Sequence, residues 1–144
     1  MSPTRAGSDI PQLRVLIVED HQVLAIGLEL LLDELGHKLV DVVSTGEDAI
    51  RLAERQRPDL IVMDIGLDGD MDGIEAAREI GDRFGIRCIF FTGRSDPETR
   101  VRATSVNPVA FLSKTSTAEE LRRILTVFND ERRLQQKTNK DPAL

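Results

Sequence analysis

The 144-residue sequence contains no tryptophan, no tyrosine and one cysteine, Cys88. A lone thiol cannot close an internal disulfide, and its setting in "IRCIFF" suits a small core side chain rather than a nucleophile. Histidine is scarce as well: His21 and His37 are too few and too far apart in the chain for a zinc site. Long hydrophobic runs are missing, and nothing approaches the roughly 20 apolar residues of a membrane helix. The opening "MSPTRAGSDIPQ" lacks the apolar centre of a secretory signal, so a reducing, cytoplasmic home without membrane attachment is expected. Basic residues are outnumbered, 19 Lys and Arg against 25 Asp and Glu, for a net charge of -6. That balance argues against broad phosphate-backbone binding, and no DNA partner is expected.

What the sequence does have is a regular alternation of short apolar runs with longer segments of helical spacing. "LRVLIV" (13–18), "KLVDVVS", "DLIVMD" (59–64), "IRCIFFT" (86–92) and "VAFLSK" (109–114) read as strands. Between and after them, "QVLAIGLELLLDELG" (22–36), "GEDAIRLAERQR", "MDGIEAAREIGDRF", "SDPETRVRATSV" and "AEELRRILTVF" read as helices. Start and stop signals agree: Gly36 ends the first helix, Pro58 follows the second, Ser95 or Asp96 with Pro97 opens the fourth, and Ser116 or Thr117 caps the last. Five strands alternating with five helices, four of the strands nearly all apolar, predict an α/β doubly wound parallel sheet covered on both faces, in the order 2-1-3-4-5. The length fits one domain over residues 13–128. A disordered tail over residues 1–12 is expected, and a polar extension over 129–144 that stays helical for a turn or two before fraying.

In such sheets ligands sit beyond the carboxyl ends of the strands, near the point where strand order reverses. The charged residues fall there: strand 1 ends at Glu19 and Asp20, strand 3 at Asp64, strand 4 at Thr92 and strand 5 at Lys114. Three carboxylates in a small cleft repel one another unless a cation compensates, and a hard divalent ion such as Mg2+ suits an all-oxygen donor set. Asp64 stands alone at the end of the central strand and is the best nucleophile, because Glu19 and Asp20 are adjacent and better placed to share the cation. A carboxylate forms an acyl phosphate when metal and lysine neutralise the incoming group. Lys114 supplies a positive charge and Thr92 a hydroxyl where a transferred phosphoryl group gathers negative charge. Taken singly, each residue has an ordinary account: Asp20 as a helix cap, Thr92 and Lys114 as strand ends. Their coincidence at one sheet edge favours a functional site.

With these segments in view, the chain resembles the receiver domains of two-component response regulators, here of the stand-alone single-domain type. "VLIVEDH" is similar to the family's acidic pair after strand 1, "LIVMDIGLDGDMDG" to its phosphoacceptor segment, "IFFTG" to its threonine and small residue, and "AFLSK" to its aromatic and lysine. The resemblance implies Mg2+ held by Glu19, Asp20, Asp64 and the backbone carbonyl of Gly66. It implies that Asp64 takes a phosphoryl group from a phosphohistidine of a histidine kinase or phosphotransfer protein, with Thr92 and Lys114 holding that group. Phe111 is then the aromatic that changes rotamer as Thr92 moves. Such a domain is a signalling switch, not an enzyme with turnover on other substrates. The chain departs from the family pattern in having Thr115 after the lysine and a "GLDGDMDG" segment that lacks proline and is about one residue too long. Gly66 and Gly93 leave the flanks of Asp64 without side-chain cover and open to an attacking water, unless Arg94 partly shields the site.

Few residues follow Phe128, so the expected output is contact with a downstream protein around helix 4, strand 5 and helix 5. On helix 1, Leu24, Leu28, Leu31 and Leu35 form a core stripe, whereas Val23, Ile26 and Leu30 form a second stripe turned away from it, suggesting a docking or homodimer surface or burial against the last helix. Three other readings compete. A haloacid-dehalogenase-type phosphatase expects a second Asp where Gly66 stands. A flavodoxin-like electron carrier needs rings to stack on a flavin and a phosphate loop after strand 1. A receiver fold used purely as a binding module would not need all five site residues.

Overall fold

The computed structural model describes residues 12–139. The tail expected over residues 1–12 lies outside them except for Gln12, as do residues 140–144 of the extension. Strands and helices alternate as β1 (Arg14–Val18), α1 (Gln22–Glu34), β2 (Lys38–Val43), α2 (Gly46–Gln56), β3 (Leu60–Met63), α3 (Gly73–Phe84), β4 (Cys88–Thr92), α4 (Pro97–Thr104), β5 (Ala110–Ser113) and α5 (Ala118–Asn139). All strands pair in parallel, in the order β2-β1-β3-β4-β5. This is the expected doubly wound sheet.

The apolar runs become strands because both sheet faces are covered, so no position in β3 or β4 needs a polar side chain. Every residue of those two strands is buried. Alternation then sorts their side chains into two cores. Leu16, Ile61, Met63 and Phe90 pack under α2, α3 and α4, while Val15, Ile17, Val62, Ile89 and Phe91 pack under α1 and α5. Burial pushes the Cys88 thiol up to about 12, so it stays neutral, as a core side chain should.

The helices after α1 start on side-chain caps. Thr45 accepts from the Asp48 N–H, Asp72 forms a capping box with Glu75, and Asp96 with Pro97 opens α4. Thr117 rather than Ser116 caps α5, accepting from the Glu120 N–H at 3.2 Å. The last helix is longer than the sequence pattern predicts, running 22 residues to Asn139. Beyond Phe128 it is tied to the body by Arg132, whose guanidinium meets Asp59, the residue before β3, at 2.9 Å. In α1 the buried residues are Ala25, Leu28, Leu31 and Leu32; Leu24 and Leu35 are half-buried, so the core stripe sits one position round from the expected one.

Candidate functional site at the carboxyl edge of the sheet

Register delivers the site. Val18 lies opposite Met63 across β1 and β3, so Glu19 and Asp64 leave the sheet side by side; Thr92 lies opposite Ser113, so Lys114 leaves next to it. Backbone hydrogen bonds fix each exit: Asp64 N–H donates to Val18 O at 2.9 Å, Glu19 N–H to Val43 O at 2.8 Å, and Lys114 N–H to Thr92 O at 2.9 Å. Glu19, Asp64 and Thr92 are buried, and Asp20 is half-buried. Carboxylate oxygens of Glu19, Asp20 and Asp64 come within 4.8 Å of one another.

Lys114 closes the cluster. Its Nζ lies 2.9 Å from Asp64 Oδ2 and 3.1 Å from Glu19 Oε1. Burial alone would lower the lysine pKa, but hydrogen bonds to Asp64 and Glu19 outweigh it and hold the ammonium above its ordinary range. Glu19 is raised as well, which for a carboxyl group disfavours the charged form: burial raises it, against the His21 N–H and Lys114, and the charge of Asp64 adds to the rise. Three carboxylates thus face one ammonium. The donor set is all oxygen, compact and short of positive charge, which fits a hard divalent cation.

His21, not Asp20, is the N-cap of α1, and its backbone N–H donates to Glu19 Oε2 at 3.1 Å. Asp20 is therefore free of the capping role that could have explained it. Gly66 donates its N–H to Asp64 Oδ1 at 3.3 Å. Its open flank is partly covered: a Cβ built on Gly66 would lie 3.5 Å from Nε of Arg94, whereas one on Gly93 would meet nothing within 4 Å. The Lys114–Thr115 peptide is trans. Phe111 is half-buried, its ring 6.3 Å from that of Phe90 and tilted by 59°.

Two contributors escape the sequence reading. Gly73, the first residue of α3, donates its N–H to Ile65 O at 2.8 Å, and a Cβ there would collide with the carbonyl oxygen of Asp64. The glycine of "MDG" was the available signal. Arg100 of α4 lies over the Phe111 ring, with Cζ 4.7 Å from its centroid, and nothing in the spacing of the sequence marks it.

A buried aspartate at the end of the central strand, flanked by two carboxylates, a hydroxyl and a lysine from neighbouring strand ends, defines a receiver-type doubly wound domain. Residues 15–126 match the family model described as response regulator receiver domain, and the chain belongs to that family, the signalling domains of two-component response regulators. It is 33% identical over 118 residues to the transcriptional regulatory protein PdtaR of Mycobacterium tuberculosis, covering 82% of this chain and 57% of PdtaR. The response regulator protein VraR of Staphylococcus saprophyticus is 32% identical over 124 residues, covering 83% and 58%. The chain thus spans little more than half the length of these curated relatives. Among solved structures, the signal receiver domain of a modulated diguanylate cyclase from Desulfovibrio desulfuricans G20 superposes with a TM-score of 0.79 at 36% identity, covering 87% of this chain and 99% of that one. Among the described residues no helix is long and apolar enough to cross a membrane.

Proposed function

We propose that the protein is a Mg2+-dependent phosphoacceptor switch that receives a phosphoryl group on Asp64 from a phosphohistidine of a histidine kinase or phosphotransfer protein and signals by protein contact. The observation that carries this reading is the buried Asp64 carboxylate, 2.9 Å from Lys114 and clustered with Glu19 and Asp20. A carboxylate oxygen of Asp64 attacks phosphorus and the P–N bond of the phosphohistidine breaks. The imidazole leaves with the electron pair and takes a proton from solvent. Lys114 and Thr92 stabilise the charge gathering on the phosphoryl oxygens. Glu19, Asp20, Asp64 and the Gly66 carbonyl would hold Mg2+, which when bound neutralises negative charge between the carboxylates and the phosphoryl group. Incubation with a small acyl phosphate should label the protein in Mg2+ and leave it unlabelled in EDTA; equal labelling in both would exclude the metal.

Metal binding should also be visible in stability. A ligand at about 100 times its dissociation constant stabilises the folded state by about 2.7 kcal/mol. Calorimetry is expected to show that gain with Mg2+ in the natural protein and its loss in Asp20→Asn. Identical melting temperatures with and without Mg2+ would count against a metal site.

The donor protein needs a place to dock, and α1 provides one. Val23, Ile26 and Leu30 are 72%, 55% and 64% exposed, so they are not buried against α5. Beside them Leu24, Leu28, Phe91, Ala118 and Leu121 line a mainly apolar groove of about 230 Å3 between α1 and α5. Its lining begins at Val23, two residues after His21, and an amphipathic helix of the donor fits it. Ile26→Glu should change stability by no more than about 0.5 kcal/mol, as expected at an exposed position, while slowing phosphotransfer from a phosphorylated kinase but not from a small acyl phosphate. Equal slowing with both donors would place the effect in the site instead.

A further inference from the structure

We propose that Arg100 is the positioning residue that latches Phe111, and that α4 is coupled to the phosphoacceptor site through this contact. The inference rests on Asp64 phosphorylation for its trigger but not for the latch itself. Phe111 lies opposite Phe90 across β4 and β5, two residues before the level of Thr92 and Ser113, so it shares a sheet face with Thr92 one step further from the carboxyl edge. On its inner side the ring meets Phe90, and on its outer side the Arg100 guanidinium, 4.7 Å from the centroid. Thr92 is held too, its Oγ1 accepting from the Arg94 N–H at 3.1 Å. If the Thr92 hydroxyl turns to a phosphoryl oxygen, it gives up that bond and opens room towards which the Phe111 ring can move. The ring then leaves Arg100 or draws α4 with it.

α4 is built to respond. Of its eight residues only Thr99 and Ala103 are buried. On its other side Arg102 reaches Asp72, the cap of α3, at 2.9 Å, so the helix is held by one arginine to β5 and by another to the loop that follows Asp64. A contact made in one of two conformations and lost in the other biases their ratio by its own free energy, and an exposed cation–π pair corresponds to about a twofold to fivefold bias.

Three variants test this: Arg100→Met, which keeps an apolar stem without charge, Arg100→Lys, which restores a cation, and Phe111→Leu as the assignment control. In the unmodified protein, the ring resonances of Phe111 by NMR should shift in Arg100→Met and return most of the way in Arg100→Lys. Initial labelling by a small acyl phosphate should be about two to five times faster in Arg100→Met than in the natural protein, and near the natural rate in Arg100→Lys. Phe111 resonances unmoved in Arg100→Met, or Arg100→Lys behaving like Arg100→Met, would overturn the latch. The NMR arm needs no phosphoryl transfer, so failure of labelling in every variant would count against Asp64 as acceptor and leave the latch to be judged on the Phe111 spectra.

Discussion

Gly73→Ala is expected to cost about 3 kcal/mol or more of folding stability, and to remove Mg2+ binding and phosphoryl acceptance in whatever protein still folds. The reason is backbone against backbone. A Cβ at residue 73 would strike the Asp64 carbonyl oxygen and come within 2.9 Å of the Asp64 carbonyl carbon and the Ile65 Cα. None of these atoms belongs to a side chain that can swing aside. Relief requires α3 to retreat from β3, which breaks the 2.8 Å hydrogen bond from Gly73 to Ile65 and displaces the peptide that carries Asp64. Gly27→Ala is the matched control. Its Cβ would meet nothing within 4 Å on α1, so helix propensity predicts a gain of up to about 1 kcal/mol. Urea denaturation of the two variants should give opposite signs, and a neutral Gly73→Ala would show that the α3 start is not held against Asp64.

Lys114→Met should slow labelling by a small acyl phosphate roughly 10²-fold, the usual cost of losing one preorganised electrostatic partner. It keeps the aliphatic stem and removes the only ammonium that meets both Glu19 and Asp64 among the described ion pairs. Without it, two buried carboxylates face each other and a third. The site is partly open, with the Lys114 side chain 22% exposed, so the stability cost in the absence of metal is about 1–2 kcal/mol rather than that of a fully buried pair. The pH dependence has a definite sign. Both Glu19 and Lys114 are raised in the folded state, so each contributes stability that is present below its unfolded value and lost as pH rises through its folded one. For Glu19 the loss begins above 4.5, and Glu19→Gln should abolish that portion of the metal-free pH profile. A Lys114→Met variant labelled at the natural rate would remove the lysine from the chemistry.

Most of this arrangement is legible in the sequence, for a specific reason. A strand buried on both faces must be apolar until it leaves the sheet, so Glu19, Asp64, Thr92 and Lys114 announce the carboxyl edge by interrupting apolar runs. Parallel strands then bring those interruptions to one side. What stayed hidden depends on approach across space. That Gly73 touches the Asp64 carbonyl follows from the entry of α3 into the sheet edge, which no local pattern records. Arg100 over Phe111 is placed by a short exposed helix, whose residues carry no hydrophobic period. α5 outruns its apolar pattern because its polar end contains good helix formers and because the Arg132–Asp59 pair that anchors it spans distant parts of the chain. Around α1, periodicity separates an exposed stripe from a buried one but puts Leu24 and Leu35 in the core, where Ala25 and Leu32 stand instead.

The central claim is that Asp64 is the residue that carries the phosphoryl group. The most direct measurement is mass spectrometry of the protein after incubation with Mg2+ and a small acyl phosphate, with the acyl phosphate on the protein trapped by borohydride reduction and its position mapped. The expected result is one modification, at Asp64 in "LIVMDIG", absent from Asp64→Asn. Modification at another residue in the natural protein, or undiminished labelling of a folded Asp64→Asn variant, would contradict it.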